Sequence, residues 1–100
     1  HLAAAVAELT VAYAINLEAL GRAAEIAPIT EPTLAALRAA GDDYHLGVAS
    51  LYVADQRWRA GDRAGAAAAA TEARLALTRD GDAASELAEL AAWRARHRGR

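Results

Sequence analysis

The 100-residue chain has no cysteine, no lysine, no phenylalanine and no methionine, and only two prolines. Without cysteine, disulfides and thiolate metal sites are excluded. Without lysine, all eleven basic residues are arginine, which reads as GC-rich coding bias of a bacterial kind. Thirteen acidic residues leave a net charge of −2. That balance does not supply the basic face that displaces phosphate counterions, so nucleic acid is not an expected partner. Glu8, Asn16 and Glu18 interrupt the longest apolar run, so no membrane partner is expected, and no signal-peptide n-region precedes an apolar stretch. The two serines, Ser50 and Ser85, lie outside any G-x-S-x-G setting. His1, His45 and His97 form no i, i+4 pair. Phosphate-binding glycine loops are missing too. The expectation is therefore a cytoplasmic, non-enzymatic chain with no catalytic residue, cofactor or metal of its own.

What is present is mostly alanine: 31 of the 55 hydrophobic residues, against 19 Leu, Val and Ile together. Alanine forms helices readily and buries little area, so such helices pack closely with modest stabilisation per residue. One domain covers residues 1–100 at this length. The chain opens on His1 instead of Met, which fits either a tag remnant or a piece of a longer protein.

Apolar residues at Leu2, Val6, Leu9, Tyr13, Leu17 and Leu20 trace one helical face over a first segment that Gly21 interrupts and Pro28 ends. Thr30 is the expected cap of a second helix from Glu31 to Ala40, stopped by Gly41. Asp42 caps a third helix ending at Gly61, with His45 near that cap. Asp62 caps a fourth helix from Arg63 to about Arg79. Asp82 caps a last one from Ala83 to about His97, with Leu87, Leu90 and Trp93 inward. The alanine-rich stretch Ala64–Ala70 suits close approach of a neighbouring helix. No segment alternates with period two, so the fold class is all-α.

A shift of forty residues places Gly21 on Gly61, Leu37 on Leu77, Gly41 on Gly81, Asp42 on Asp82 and Asn16 on Gln56. Residues 2–41 and 42–81 are then two hairpin units, and 83–97 is a capping helix. The sequences Leu20-Gly21-Arg22 with Ala24, and Gly61-Asp62 followed by Ala66 and Ala73, resemble the turn and second helix of tetratricopeptide repeats. That resemblance implies a right-handed stack of helical hairpins whose first helices line a concave groove, and a function in protein or peptide binding, as part of a regulatory or scaffold protein. A helical bundle is the alternative architecture.

Counted back from Gly61, the groove-facing positions are Val48, Leu51, Asp55 and Trp58; counted back from Gly21 they are Glu8, Val11, Ile15 and Glu18. Together they make an apolar floor with three carboxylates, suited to an extended or helical peptide bearing Arg or Lys. On the other reading, Leu51 and Trp58 are core and Asp55 sits at a rim. Asn16 fixes helix register, is partly exposed, or contacts a ligand. The tail Arg94-Ala95-Arg96-His97-Arg98-Gly99-Arg100 complements a helix dipole or meets an acidic partner, a neighbouring copy included, so a homo-oligomer stays open. Two other classes compete. The run Asn16–Leu20 with a short helix after Pro28 is similar to the helical domains of hydroxyacid-dehydrogenase-like enzymes, which implies an accessory or dimerisation domain. A small-molecule sensor would instead enclose a cavity between Tyr13, Tyr52 and Trp58.

Overall fold

The computed structural model describes residues 2–98, and all regular structure among them is helical. Five α-helices follow in order: α1 Leu2–Ala19, α2 Ala27–Ala40, α3 Asp43–Arg59, α4 Arg63–Asp80 and α5 Ala84–His97, with a short 3₁₀ turn at Ala23–Glu25 between the first two.

Glycine sets the helix ends. Gly21 and Gly61 adopt φ of 73° and 85°, and the chain reverses through the same two bonds each time. The Arg22 N–H donates to the Leu17 carbonyl at 2.8 Å and the Gly21 N–H to that of Glu18 at 3.1 Å. Forty residues on, Asp62 and Gly61 donate to Arg57 and Trp58 at 2.9 and 3.0 Å. This is the Schellman arrangement, which satisfies carbonyls the helix leaves open. The following starts differ. Asp62 accepts from the Gly65 N–H at 2.9 Å and Asp42 from that of His45 at 3.2 Å, so α4 and α3 begin at once. Arg22 has no capping side chain and instead forks onto Glu25 at 2.5 and 2.6 Å.

Three expectations are corrected here. The first helix ends at Ala19, well before Pro28, because Gly21 terminates it. Thr30 is not a cap: α2 has begun by Ala27, Pro28 occupies its first turn, where a missing N–H costs nothing, and the Thr30 hydroxyl donates back to the Ile26 carbonyl at 3.1 Å. Nor does Asp82 cap α5. Ala83 holds that position without a side-chain bond, and the Asp82 N–H donates to the Asp80 carboxylate at 3.2 Å.

The core is built on alanine. α4 presents Ala66, Ala69, Ala70, Ala73, Ala76 and Leu77, all buried, and α3 answers with Gly47, Ser50 and Ala54. The two helices pack so closely that a Cβ on Gly47 would collide with the Leu77 side chain. Buried positions recur forty residues apart: Ala14 and Ala54, Ile26 and Ala66, Thr30 and Ala70, Thr33 and Ala73, Leu37 and Leu77. Among the described residues, α1 touches α2 and α3, α3 also touches α2, α4 and α5, α4 touches α5, and α1 does not reach α4. Three arginine–carboxylate pairs tie residues before Gly41 to residues after it: Glu18–Arg59 at 2.7 Å, Arg38–Glu72 at 2.5 Å, and Glu31–Arg57.

The apolar stripe that traces one face of the first helix is mostly not buried. Only Leu17 of that set is in the core. Leu2, Val6, Leu9, Tyr13 and Leu20 are exposed, and Ala4, Ala7 and Ala14 take the inner face. Apart from Leu17, the face turned to α2 and α3 carries only methyl groups, and the other large side chains point away. Asn16 shares the outer face and is exposed. The expectation that Glu8, Asn16 and Glu18 break the apolar run also needs correcting: α1 spans 18 residues at mean hydropathy 1.4, long and apolar enough by length and composition to cross a membrane.

Candidate functional site: a cleft between the third and fifth helices

α3 lies between α1 and α5, and its groove-side residues are divided between those neighbours. Val48, Leu51 and Asp55 follow steps of three and four, so they share one face. α5 meets that face with Glu89, Trp93 and Arg96, spaced the same way. A cavity of about 460 Å³ opens between the two helices, with Leu51, Tyr52 and Trp93 as its floor and Asp55, Glu89 and Arg96 at its rim. The walls are pinned at both ends. The Tyr44 hydroxyl donates to Glu86 at 2.9 Å, and the indole N–H of buried Trp93 donates to the Asp55 carboxylate at 2.9 Å.

The acidic residues expected along the groove are mostly occupied. The Arg59 guanidinium takes Glu18 in a two-pronged bond, 2.7 Å on each arm, and also pairs with Asp55 one helical turn before it. Its hydrogen bond holds the Glu18 carboxyl below its ordinary value of 4.5, against partial burial. The charge of Arg59 is reinforced in return, its pKa raised first by the bond to Glu18. Burial, and then the nearby Glu18 carboxylate, push the Tyr52 phenol up; its hydroxyl is buried among α1, α2 and α3 without a hydrogen-bond partner in the chain. Glu18, Arg59 and Asp55 thus form a charged bridge from α1 to the cleft wall, and Glu89 is a rim carboxylate with no arginine on it among the described residues.

Of the eight residues expected to line the groove, the structure brings Val48, Leu51 and Asp55 into the cleft and links Glu18 to them through Arg59. Glu8, Val11, Ile15 and Trp58 lie elsewhere. Glu8 is 75% exposed at its side chain and approaches His45 Nε2 at 3.7 Å. Val11 packs against the core, and Ile15 is exposed. Trp58 stands three residues past Asp55, on the same side of α3 but about 4.5 Å further along the axis, beyond the cleft. There it meets Trp93 edge-on at 6.1 Å and His97 at 4.6 Å, with the Arg63 guanidinium 4.5 Å above its ring. A second cavity of about 360 Å³ opens beside this cluster.

The α5 side of the cleft was missed, although Glu89, Trp93 and Arg96 repeat the spacing that marked α3. Tyr13, Tyr52 and Trp58 line three separate depressions and do not enclose one space. His45 stands by its cap as expected, Nδ1 3.0 Å from the Asp42 carboxylate. That contact and the His45 N–H outweigh the opposing effect of burial and lower the Asp42 pKa. No group of three or more His, Asp or Glu placed to hold a metal occurs among the described residues. Arg94 and Arg96 end α5 with positive charge, beside His97 in the last turn; Gly99 and Arg100, like His1, lie outside the described residues.

No protein-family model, no curated protein and no solved structure matches the chain.

Proposed function

We propose that the chain is a peptide-binding module of two stacked helical hairpins and a capping helix, similar in plan to tetratricopeptide repeats. Two observations support the stacked plan over a closed four-helix bundle. Buried residues recur at forty-residue spacing on both helices of each hairpin. Each helix meets only its first and second neighbours along the chain, whereas a closed bundle would bring α1 against α4. In such a stack α1, α3 and α5 share one side, the side on which the α3–α5 cleft opens.

The observation that carries the functional reading is the cleft itself. It offers an apolar floor beside polar rim groups, the composition that fixes a peptide's side chains while its ends remain in water. The preference for a basic peptide is narrower than the sequence suggested. Glu18 and Asp55 share the single Arg59, which leaves one net negative charge between them, so the ligand is a segment with apolar side chains for Leu51 and Trp93, and a cationic group facing Asp55 and Glu89.

Peptides selected from a random displayed library on the wild-type chain test this. Val48 is exposed, so Val48→Arg should preserve helicity while obstructing the cleft, and binding of the selected peptides should fall at least about tenfold, or 1.4 kcal/mol. Peptides that bind Val48→Arg as well as wild type would place recognition elsewhere.

A further inference from the structure

We infer that the outer face of α1 is a homodimer interface, on which a second copy seats its own α1 antiparallel about a two-fold axis. The inference uses the forty-residue equivalence on which the proposed stacking rests, applied to a different face of the molecule. α3 packs on its own hairpin partner through Gly47, Ser50 and Ala54. The equivalent α1 residues, Ala7, Thr10 and Ala14, do the same towards α2: Ala7 and Ala14 are buried, and the Thr10 and Thr33 hydroxyls are hydrogen-bonded at 3.2 Å. The remaining inner side of α3, with Leu46, Ala49 and Val53, is buried at 2–4% exposure. Its equivalents on α1 are Val6, Leu9 and Tyr13, and these are open to solvent. α1 therefore displays, uncovered, the positions that α3 keeps covered.

The exposed set is larger than those three. Leu2, Val6, Leu9, Tyr13, Asn16 and Leu20 follow steps of 4, 3, 4, 3 and 4 along the helix, the seam spacing of paired helices. Leu2 is 81% exposed, Leu9 71% and Leu20 68%. Ala5, Ala12 and Ala19 flank the seam, so a facing backbone can come close. Such spacing is self-complementary in the antiparallel sense. Leu2 lies against Leu20 of the partner subunit, Leu9 against Tyr13 of the partner subunit, and Val6 against Asn16 of the partner subunit, so that an amide in each of two symmetry-related layers sets the register. The five large side chains expose on the order of 600 Å² per copy, near the ~800 Å² that each partner gives to a standard interface. A second copy fits this face better than a lipid surface does. Helices that lie on membranes carry Lys or Arg on their polar side, and α1 has no basic residue, only Glu8 and Glu18.

Sedimentation equilibrium of the whole chain, from micromolar to submillimolar concentration, should return a dimer. Leu9→Glu, at a site too exposed to serve the core, should weaken the dimer by at least about tenfold with circular dichroism unchanged. Leu75→Glu, on the exposed side of α4, should leave the dimer intact. The absence of native cysteine allows a register test: the antiparallel axis sets the two Ala12 positions beside each other, so Ala12→Cys should oxidise to a covalent dimer and Ala5→Cys should not. A monomer at every concentration, a monomer that instead binds phosphatidylcholine vesicles, equal weakening by Leu75→Glu, or cross-linking by Ala5→Cys as readily as by Ala12→Cys would each overturn the inference. Peptide binding in the cleft is read by Val48→Arg, on another face, so the two proposals fail separately.

Discussion

Asp55 serves two partners from one carboxylate, the indole N–H of Trp93 and the guanidinium of Arg59. Removing it leaves the buried indole donor unpaired and frees Arg59 on one side. Asp55→Ala should therefore lower stability by about 1–3 kcal/mol, the cost of orphaning a buried polar group. In a chain of this size that is a fall in Tm of roughly 4–8 °C per kcal/mol. Asp55→Asn keeps an acceptor for the indole and should lose less. An Asp55→Ala chain that melts with the wild type would mean that the carboxylate is idle. At this scale the sequence was partly legible. Position counted back from Gly61 picked out Val48, Leu51 and Asp55, which a helix puts on one side, together with Trp58, which lines the second cavity instead. That count could not show that Arg59 pairs with two of the three groove carboxylates at once. That depends on where α1 lies against α3, and Glu18 is 41 residues away in the chain.

The elements follow from local rules wherever glycine and aspartate act together. At 41–42 and 61–62 a glycine turn is followed by a capping aspartate, and the helix ends fall where those residues put them. At Gly21 the turn forms but no cap follows, so the chain passes through a 3₁₀ turn before α2 begins. The proline pair misled for a related reason. Pro28 and Pro32 look like breaks, yet the first turn of a helix tolerates one, and Thr30 and Thr33 hydroxyls supply extra bonds to the Ile26 and Ile29 carbonyls. Gly61 gives a direct test of these ends. Its φ of 85° belongs to the left-handed region, and no atom would crowd an added Cβ, so any penalty is conformational. Gly61→Val should cost about 1–2 kcal/mol or more, a β-branched residue being especially poor there, visible as a lower urea midpoint at unchanged slope. A neutral result would show that the turn between α3 and α4 relaxes to negative φ. The buried side of α1 was not legible at all. Leucines and valines normally mark the core, but here, Leu17 apart, alanine fills the inner face.

For the whole molecule, the junction between residues 1–41 and 42–81 depends on charge more than its alanine packing suggests. Glu18 and Glu72 both titrate below the ordinary carboxylate value, chiefly through hydrogen bonds from Arg59 and Arg38. A carboxyl depressed in the folded state stabilises it above the unfolded value, and that contribution is lost as pH falls through the folded one. Stability should thus hold from neutral pH down to about 5 and decline below about 4.5. Glu72→Gln should flatten part of that decline. An acid limb unchanged in Glu72→Gln would show the Arg38 pair to be energetically silent, as exposed pairs often are. The cleft makes the most direct demand on the molecule, and the two tryptophans report on it from opposite sides of α5. The Trp93 indole N–H stands in the cleft wall on Asp55, and Trp58 stands beyond it under Arg63. In a ¹H–¹⁵N spectrum titrated with a selected peptide, the Trp93 indole resonance should move progressively while that of Trp58 stays nearly fixed. Movement of Trp58 with Trp93 at rest, or of neither at saturation, would contradict peptide binding between α3 and α5.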